Sequence, residues 1–301
     1  MTPEVSVIMP AYNAGEFIAE SIDSVIGQTF TNWELIIVDD GSTDNTASIA
    51  QQYQSSDPRV RYFHQQNSRQ GKARNTGIKN STGRYIAFLD ADDLWTNDKL
   101  QLQVDILNAR PEIDLVFSQG YFLMTDGSLQ NSDVKVKEWN CEHDGDEFID
   151  WNQIPILSAI VKKEALEDVG LFSEELSIQN AEDYHLWLKL LHKGHRFLSM
   201  PERLFYYRVH QSQITYQNSG MYAAIVNGYF DLVKKNILNP ANKALQYRLK
   251  WMIINHVNPG KLYKKLKPVF SDKKGILFFY IILNRFLPGN SFTKRFGNRF
   301  L

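Results

Sequence analysis

Short apolar runs alternate with helical patterns over the first hundred residues, and that rhythm constrains this chain more than any other feature. Val5–Met9, Glu34–Val38, Val60–His64 and Tyr85–Leu89 read as strands. Between them, Gly15–Gln28 places Phe17, Ile18, Ile22, Val25 and Ile26 at helical spacing, and Asp44–Gln54 and Lys72–Asn80 read as helices. Ser42 or Asp44 is placed to cap the second helix. Strands that are apolar throughout and separated by helices imply a parallel sheet covered on both faces, hence an α/β fold. Farther along, Leu100–Ala109 is a helix closed by Pro111, and Asp114–Ser118 is a further strand. The polar, poorly periodic stretch Thr125–Asn152 reads as a long loop or hairpin. Helices are expected at Lys162–Val169, at Ala181–Leu191 and over 220–260, with no internal repeat.

In open α/β sheets, ligands bind at the carboxyl ends of the strands. The run Arg84–Leu89 ends in Asp90-Ala91-Asp92-Asp93, three carboxylates in four positions. Such carboxylates repel one another unless a cation sits among them. Mg²⁺ or Mn²⁺ takes one or two protein carboxylates together with phosphate oxygens, so the run suits a metal that holds a phosphorylated ligand. The plainer alternative is a solvated acidic turn in which Asp93 or Asn97 caps the next helix. After the second strand, Asp39-Asp40-Gly41-Ser42 offers paired carboxylates to ribose hydroxyls or to the imino group of a base; alternatively it is a turn with glycine at a positive φ. It should lie beside the first-strand turn, Pro10-Ala11-Tyr12-Asn13. A dehydrogenase would need G-x-G-x-x-G at that first turn, and the chain has Pro-Ala-Tyr-Asn-Ala-Gly; a G-x-x-x-x-G-K-[ST] loop is absent too.

Gly71-Lys72-Ala73-Arg74-Asn75-Thr76-Gly77 opens a helix with two bases, which suits an anion or, alternatively, an ion pair to a carboxylate. Glu182-Asp183 begins another helix, where acids complement the helix dipole or where one of them serves as a general base for an acceptor hydroxyl, Asp183 being the better placed. Trp187 and Leu190 on that helix read as core. Tyr206-Tyr207-Arg208-Val209-His210 ends a late strand, and His210 could complete a metal's coordination or touch a diphosphate.

Taken together, these residues resemble the family 2 glycosyltransferases, which adopt the GT-A fold. The resemblance is carried by Val5-Ser-Val-Ile-Met-Pro-Ala-Tyr-Asn, Ser24-Val-Ile-Gly-Gln-Thr-Phe and Trp33-Glu-Leu-Ile-Ile-Val-Asp-Asp-Gly-Ser-Thr-Asp. It continues through Ala73-Arg-Asn-Thr-Gly, Phe88-Leu-Asp-Ala-Asp-Asp, Ala181-Glu-Asp-Tyr-His-Leu-Trp-Leu and Tyr207-Arg-Val-His, in order over about residues 3–215. It implies a mixed, mainly parallel Rossmann-like sheet in a catalytic domain over 1–215. The nucleotide half would span about 1–95 and the acceptor half about 96–215, followed by a helical extension over 216–301. It further implies that Pro10, Ala11, Tyr12, Asn13 and Asp39 line a nucleoside pocket with Asp40 nearby. Lys72, Arg74, Asp90, Ala91 and Asp93 would attend the donor, Asp92 and His210 would hold Mn²⁺ or Mg²⁺, and Glu182-Asp183 would supply the base.

The implied reaction is transfer with inversion from a nucleotide-diphosphate sugar, UDP most of all, to a glycan or lipid-linked glycan in surface polysaccharide assembly. The chain departs from the family in carrying Ser68 and Arg69 where glycines are frequent. A catalytically silent relative that binds sugar nucleotide or scaffolds a complex is the alternative; a nucleotidyltransferase lacks support because its early Gly-rich, Arg-containing loop is missing.

Charge divides the chain. Of 33 basic and 34 acidic residues, ten basic and one acidic (Asp272) fall within 261–301, a balance of +9 that leaves positions 1–260 at −10. The apolar run Ile276–Leu283 lies between Lys273, Lys274 and Arg285, and is followed by Phe292, Lys294, Arg295, Phe296, Arg299 and Phe300. This pattern suits an anionic membrane surface and gives no sign of nucleic acid; its alternatives are packing on the catalytic domain or an oligomer contact. One cysteine, Cys141, excludes an intrachain disulfide and fits a reducing compartment. With no apolar stretch of spanning length and no export signal, the expectation is a cytoplasmic protein, peripheral on the inner face of the membrane.

Overall fold

Every residue of Val5–Ala11 (β1) is buried, as a strand covered on both faces requires. The structure, a computed structural model, describes residues 2–210 and 220–255. After β1 come α1 (Ile18–Ile26), β2 (Trp33–Asp39), α2 (Thr46–Ser56), β3 (Val60–His64), α3 (Arg69–Lys79), β4 (Tyr85–Phe88) and β5 (Leu94–Trp95). Next are α4 (Lys99–Ala109), β6 (Leu115–Leu123), β7 (Leu129–Ser132), β8 (Glu138–Trp139), α5 (Cys141–Asp150) and β9 (Ile160–Lys162). The described chain closes with α6 (Lys163–Asp168), α7 (Glu182–Lys193), β10 (Phe197–Arg208), α8 (Met221–Lys234) and α9 (Lys243–Asn255).

The sheet runs β3-β2-β1-β4-β9-β6-β10-β5, with β7 on β6 and β8 on β10. The first four strands are parallel. β9 enters antiparallel between β4 and β6, and β10 lies parallel to β6. This is the mixed, mainly parallel GT-A sheet. Alternate residues of one strand feed opposite cores, as the two-residue period demands. Ile8, Ile36, Val38, Ile86 and Phe88 pack with α3, α5, α7, α8 and α9; Val7, Met9, Leu35, Ile37 and Ala87 pack with α1, α2 and α4. Gly77 lets α3 lie close on β1, since a Cβ there would stand 2.5 Å from Ile8 Cγ2.

The polar stretch 125–152 contains the expected hairpin, turned at Gly127 with φ +81°, but also the helix α5. Its periodicity is hidden because only a narrow face, Phe148 and Ile149 with Asp144 and Gly145, turns inward. The short strands β5, β8 and β9 carry too few residues for a period to register. Cys141 opens α5, half-buried, and burial pushes its thiol up, away from thiolate reactivity.

Helices α8 and α9 share the core of α5 and α7. The Tyr184 and Tyr229 hydroxyls meet at 2.9 Å and both donate to the Ile149 carbonyl, while His185 Nε2 lies 2.9 Å from Asp231 Oδ2. No helix of the described residues is long and apolar enough to cross a membrane. The basic segment 261–301 lies outside the described residues.

Candidate active site

The parallel register sets Ala11 opposite Asp39, so the first two turns meet at the carboxyl edge of the sheet. Asn13 clasps them: its N–H donates to Ser42 Oγ at 2.9 Å, and its Oδ1 accepts from Thr43 N at 2.8 Å. Asp39 is fully buried, accepting from Ser42 N and from the Tyr62 hydroxyl, each at 2.8 Å. Burial and that carboxylate push the Tyr62 hydroxyl far up its scale. Pro10 and Ala11 are the last residues of β1, buried beneath this edge, whereas Tyr12 leaves 53% of its surface exposed. Gly41 takes φ +81°, as a turn glycine should.

Asp40 has a structural task. Its Oδ1 accepts from Gln65 Nε2 and Ser68 N, and its Oδ2 from Arg69 N, at 2.7 to 2.8 Å. It thereby caps α3, whose own N-cap residue, Ser68, makes no side-chain cap bond. Arg69 stands at φ +73°, a left-handed conformation that favours glycine, which is the physical content of the departure noted at this position.

One turn on, α3 carries Arg74 into the interior at 2% exposure. Its Nη1 donates to Glu182 Oε1 at 2.6 Å and its Nη2 to Asp90 Oδ1 at 2.7 Å. Arg74 thus ties the carboxylates of β4 and α7 together. Glu182 Oε2 also accepts from Asn180 N at 2.7 Å, so both its oxygens are engaged. Lys72 is exposed and in no ion pair among the described residues.

None of the three carboxylates after β4 caps α4, whose N-cap residue is Asp98. Asp93 is buried and accepts from Arg208 N at 2.8 Å; burial, with the charges of Asp92 and Asp90 beside it, pushes its carboxyl well up. Burial also raises Asp90, outweighing Arg74, with the Asp92 charge adding to the rise. Ala91 is buried between them. Asp92 Oδ2 lies 3.0 Å from His210 Nε2, whose ring packs on Phe17 at 4.7 Å between centroids. Arg208 Nε donates to the Asp92 carbonyl at 2.9 Å, and its Nη2 to Glu20 at 2.6 Å.

Asp183 stands in the first turn of α7, its Oδ2 accepting from Asn152 Nδ2 at 3.1 Å. Burial, then the charge of Glu182, lifts its carboxyl to about 6. The fold therefore brings Asp90, Arg74, Glu182 and Asp183 together, with Asp92 and its partner His210 beside Asp90. Asn152, Tyr62 and Phe17 touch these residues without a distinct sequence signal, each being an ordinary polar or aromatic residue in its segment, whereas Arg208 lies in the motif that ends at His210.

Among the described residues, no group of three or more His, Cys, Asp or Glu side chains forms a ready metal cage. Asp92 and His210 offer one oxygen and one nitrogen donor, partly exposed. That donor set fits a Mn²⁺ or Mg²⁺ ion whose remaining positions are taken by phosphate oxygens and water.

Comparison with known proteins agrees with this architecture. Residues 6–168 match the model of the family described as Glycosyl transferase family 2. The chain is 36% identical over 216 residues to the protein named as the teichuronic acid biosynthesis glycosyltransferase TuaG of Bacillus subtilis (strain 168), covering 71% of this chain and 82% of that one. It is 32% identical over 194 residues to the Escherichia coli UDP-Glc:alpha-D-GlcNAc-diphosphoundecaprenol beta-1,3-glucosyltransferase WfgD, covering 62% and 69%. The crystal structure of S. aureus TarS 1-349 in complex with UDP-GlcNAc superposes with a TM-score of 0.64 at 20% identity, over 95% of this chain and 80% of that one, a likeness of fold. The chain belongs to glycosyl transferase family 2.

Proposed function

We propose that this chain transfers a sugar, with inversion, from a nucleotide-diphosphate donor to a hydroxyl of a glycan or lipid-linked glycan acceptor in surface polysaccharide assembly. The donor is a UDP-sugar carrying a hexosyl or N-acetylhexosaminyl group, and the reaction depends on Mn²⁺ or Mg²⁺. One arrangement carries the reading: Asp183, raised to about 6, is tied through Glu182 and Arg74 to the acidic turn that holds Asp90 and Asp92. UDP is favoured by the donor in WfgD's name and by the ligand of TarS, and a lipid-linked acceptor by WfgD's name.

Asp183 takes the proton of the acceptor hydroxyl as that oxygen attacks the anomeric carbon. The bond from that carbon to the diphosphate oxygen breaks on the opposite face, and the nucleoside diphosphate leaves. A carboxylate near 6 is ionised at neutral pH yet more basic than an ordinary aspartate, which suits this step. Glu182, with both oxygens engaged, positions Arg74 rather than taking the proton. Pro10, Ala11, Tyr12 and Asp39 border the nucleoside, Asn13 holds their two turns together, and Asp90 faces ribose or sugar. Asp92 and His210 hold the metal, which when bound offsets the charge on the leaving diphosphate. The protein works at the inner face of the membrane.

The test is a thermal-shift panel of UDP, GDP, dTDP and CMP, each with and without Mn²⁺. A ligand bound only by the folded state raises its apparent stability. A Mn²⁺-dependent shift with UDP, lost in Asp92→Ala, is expected. A flat panel would favour the silent scaffold.

A further inference from the structure

Helix α1 sends its apolar side chains into one core, where Ile18, Ile22 and Val25 are fully buried. Phe17, the cap residue that opens this helix, belongs to neither core of the sheet. Its ring meets residues of the candidate site instead. The His210 imidazole packs on it at 4.7 Å between centroids, the two planes tilted by 41°. The Arg208 guanidinium lies 5.0 Å from the same ring centroid, within reach of a cation–π attraction.

We propose that Phe17 is a positioning residue for the metal site: its ring holds the His210 imidazole in the orientation that keeps Nε2 beside Asp92 Oδ2. The reason is torsional. The backbone just before His210 is tied down, because Val209 N donates to the Leu123 carbonyl at 2.9 Å. That bond fixes where the side chain starts but not how the ring is turned. Rotation of a histidine ring about its own bond has broad wells, so a packing neighbour must set it. The lone pair of an imidazole nitrogen lies in the ring plane, and a turned ring would aim it away from the ion.

Arg208 extends the same support to the other proposed ligand. Its Nε donates to the Asp92 carbonyl at 2.9 Å, and its backbone N–H donates to Asp93 Oδ1 at 2.8 Å. Its Nη2 donates to Glu20, one turn along α1 from Phe17. The first turn of α1 therefore stands behind Asp92 and His210 at once. This inference rests on the reading of those two residues as metal ligands given above.

The test compares wild type, Phe17→Leu, Phe17→Tyr and His210→Ala as full chains. UDP binding is measured by calorimetry with Mn²⁺ and in metal-free buffer, and the Mn²⁺–UDP complex by pulsed electron paramagnetic resonance. Because Phe17 lies outside both cores, Phe17→Leu should keep a thermal midpoint near wild type. It should bind UDP about tenfold more weakly with Mn²⁺, the lower end of what losing a ligand-orienting group costs. Metal-free binding should not change. Coupling of the Mn²⁺ spin to an imidazole nitrogen should be present in wild type, weaken in Phe17→Leu and return in Phe17→Tyr. Wild-type affinity and coupling in Phe17→Leu overturn the proposal. An equal loss of UDP affinity with and without metal also overturns it, placing Phe17 against the nucleotide instead. Wild-type affinity and coupling in His210→Ala, or no nitrogen coupling in wild type, would overturn the reading of His210 as a ligand itself.

Discussion

Arg74 and Glu182 lie 108 positions apart in the chain, yet Arg74 Nη1 donates to Glu182 Oε1 across 2.6 Å. With the second bond to Asp90, the guanidinium joins the acidic turn after β4 to the helix that carries the proposed base. The pair is buried, so its worth shows when one partner is removed and two carboxylates stay behind uncompensated. Arg74→Ala should cost about 3–5 kcal/mol in urea unfolding. Arg74→Lys should recover little, because an ammonium lacks the planar fork that reaches both carboxylates at once.

Asp183→Asn should lower the transfer rate about 10²- to 10⁴-fold, the usual contribution of a general base, while UDP binding is retained. In wild type the rate should fall as pH drops through about 6, since the base must be ionised. Stability runs the other way. The folded value lies above the ordinary 3.8, so the folded state binds this proton more tightly, and stability is lost as pH rises from 3.8 through about 6. Asp183→Asn should therefore melt higher than wild type at neutral pH, with the gap closing toward pH 4. A base elsewhere would leave the variant near wild-type turnover, measured with radiolabelled donor.

Asp92 Oδ2 and His210 Nε2 stand 3.0 Å apart, so both can hold the proposed ion once the proton between them is given up. His210→Ala should weaken Mn²⁺-supported UDP binding by at least about 10- to 100-fold in calorimetry, since losing even a group that only orients a ligand has that effect. Mn²⁺ should exceed Mg²⁺ in wild type, because imidazole suits the transition ion better. That preference should vanish in the variant.

Gly77 belongs to the motif Ala73–Gly77, yet its role is steric. A methyl group would press on Ile8 Cγ2 at 2.5 Å and push α3, with Arg74, off β1. Overpacking of this kind costs about 1–3 kcal/mol, partly offset by about 1 kcal/mol of helix propensity gained. Gly77→Ala should show a net loss of stability by chemical denaturation, together with a weaker response to UDP.

Much of this was legible in the residues. The parallel half of the sheet follows from apolar strands at regular spacing, and the Asp39, Asp90–Asp93 and Glu182–Asp183 turns could be read as strand-end or helix-start chemistry. Less legible was the division of labour among these acids. Asp40 reads like Asp39 but caps α3, and Glu182 reads like Asp183 but has both oxygens engaged by Arg74 and Asn180. Helix α5 went unread because its inward face is narrow, and Asn152 because an asparagine in a polar stretch carries no period.

Local order and the positions of the chemical groups were determined by the sequence alone, since apolar period, turn residues and acid spacing act over a few residues. Which acid ionises, which caps and which pairs was decided only by the tertiary structure. Burial, like-charge proximity and hydrogen bonding depend on groups brought together from distant parts of the chain, and they set Asp183 near 6 while Glu182, its neighbour, is bound to Arg74.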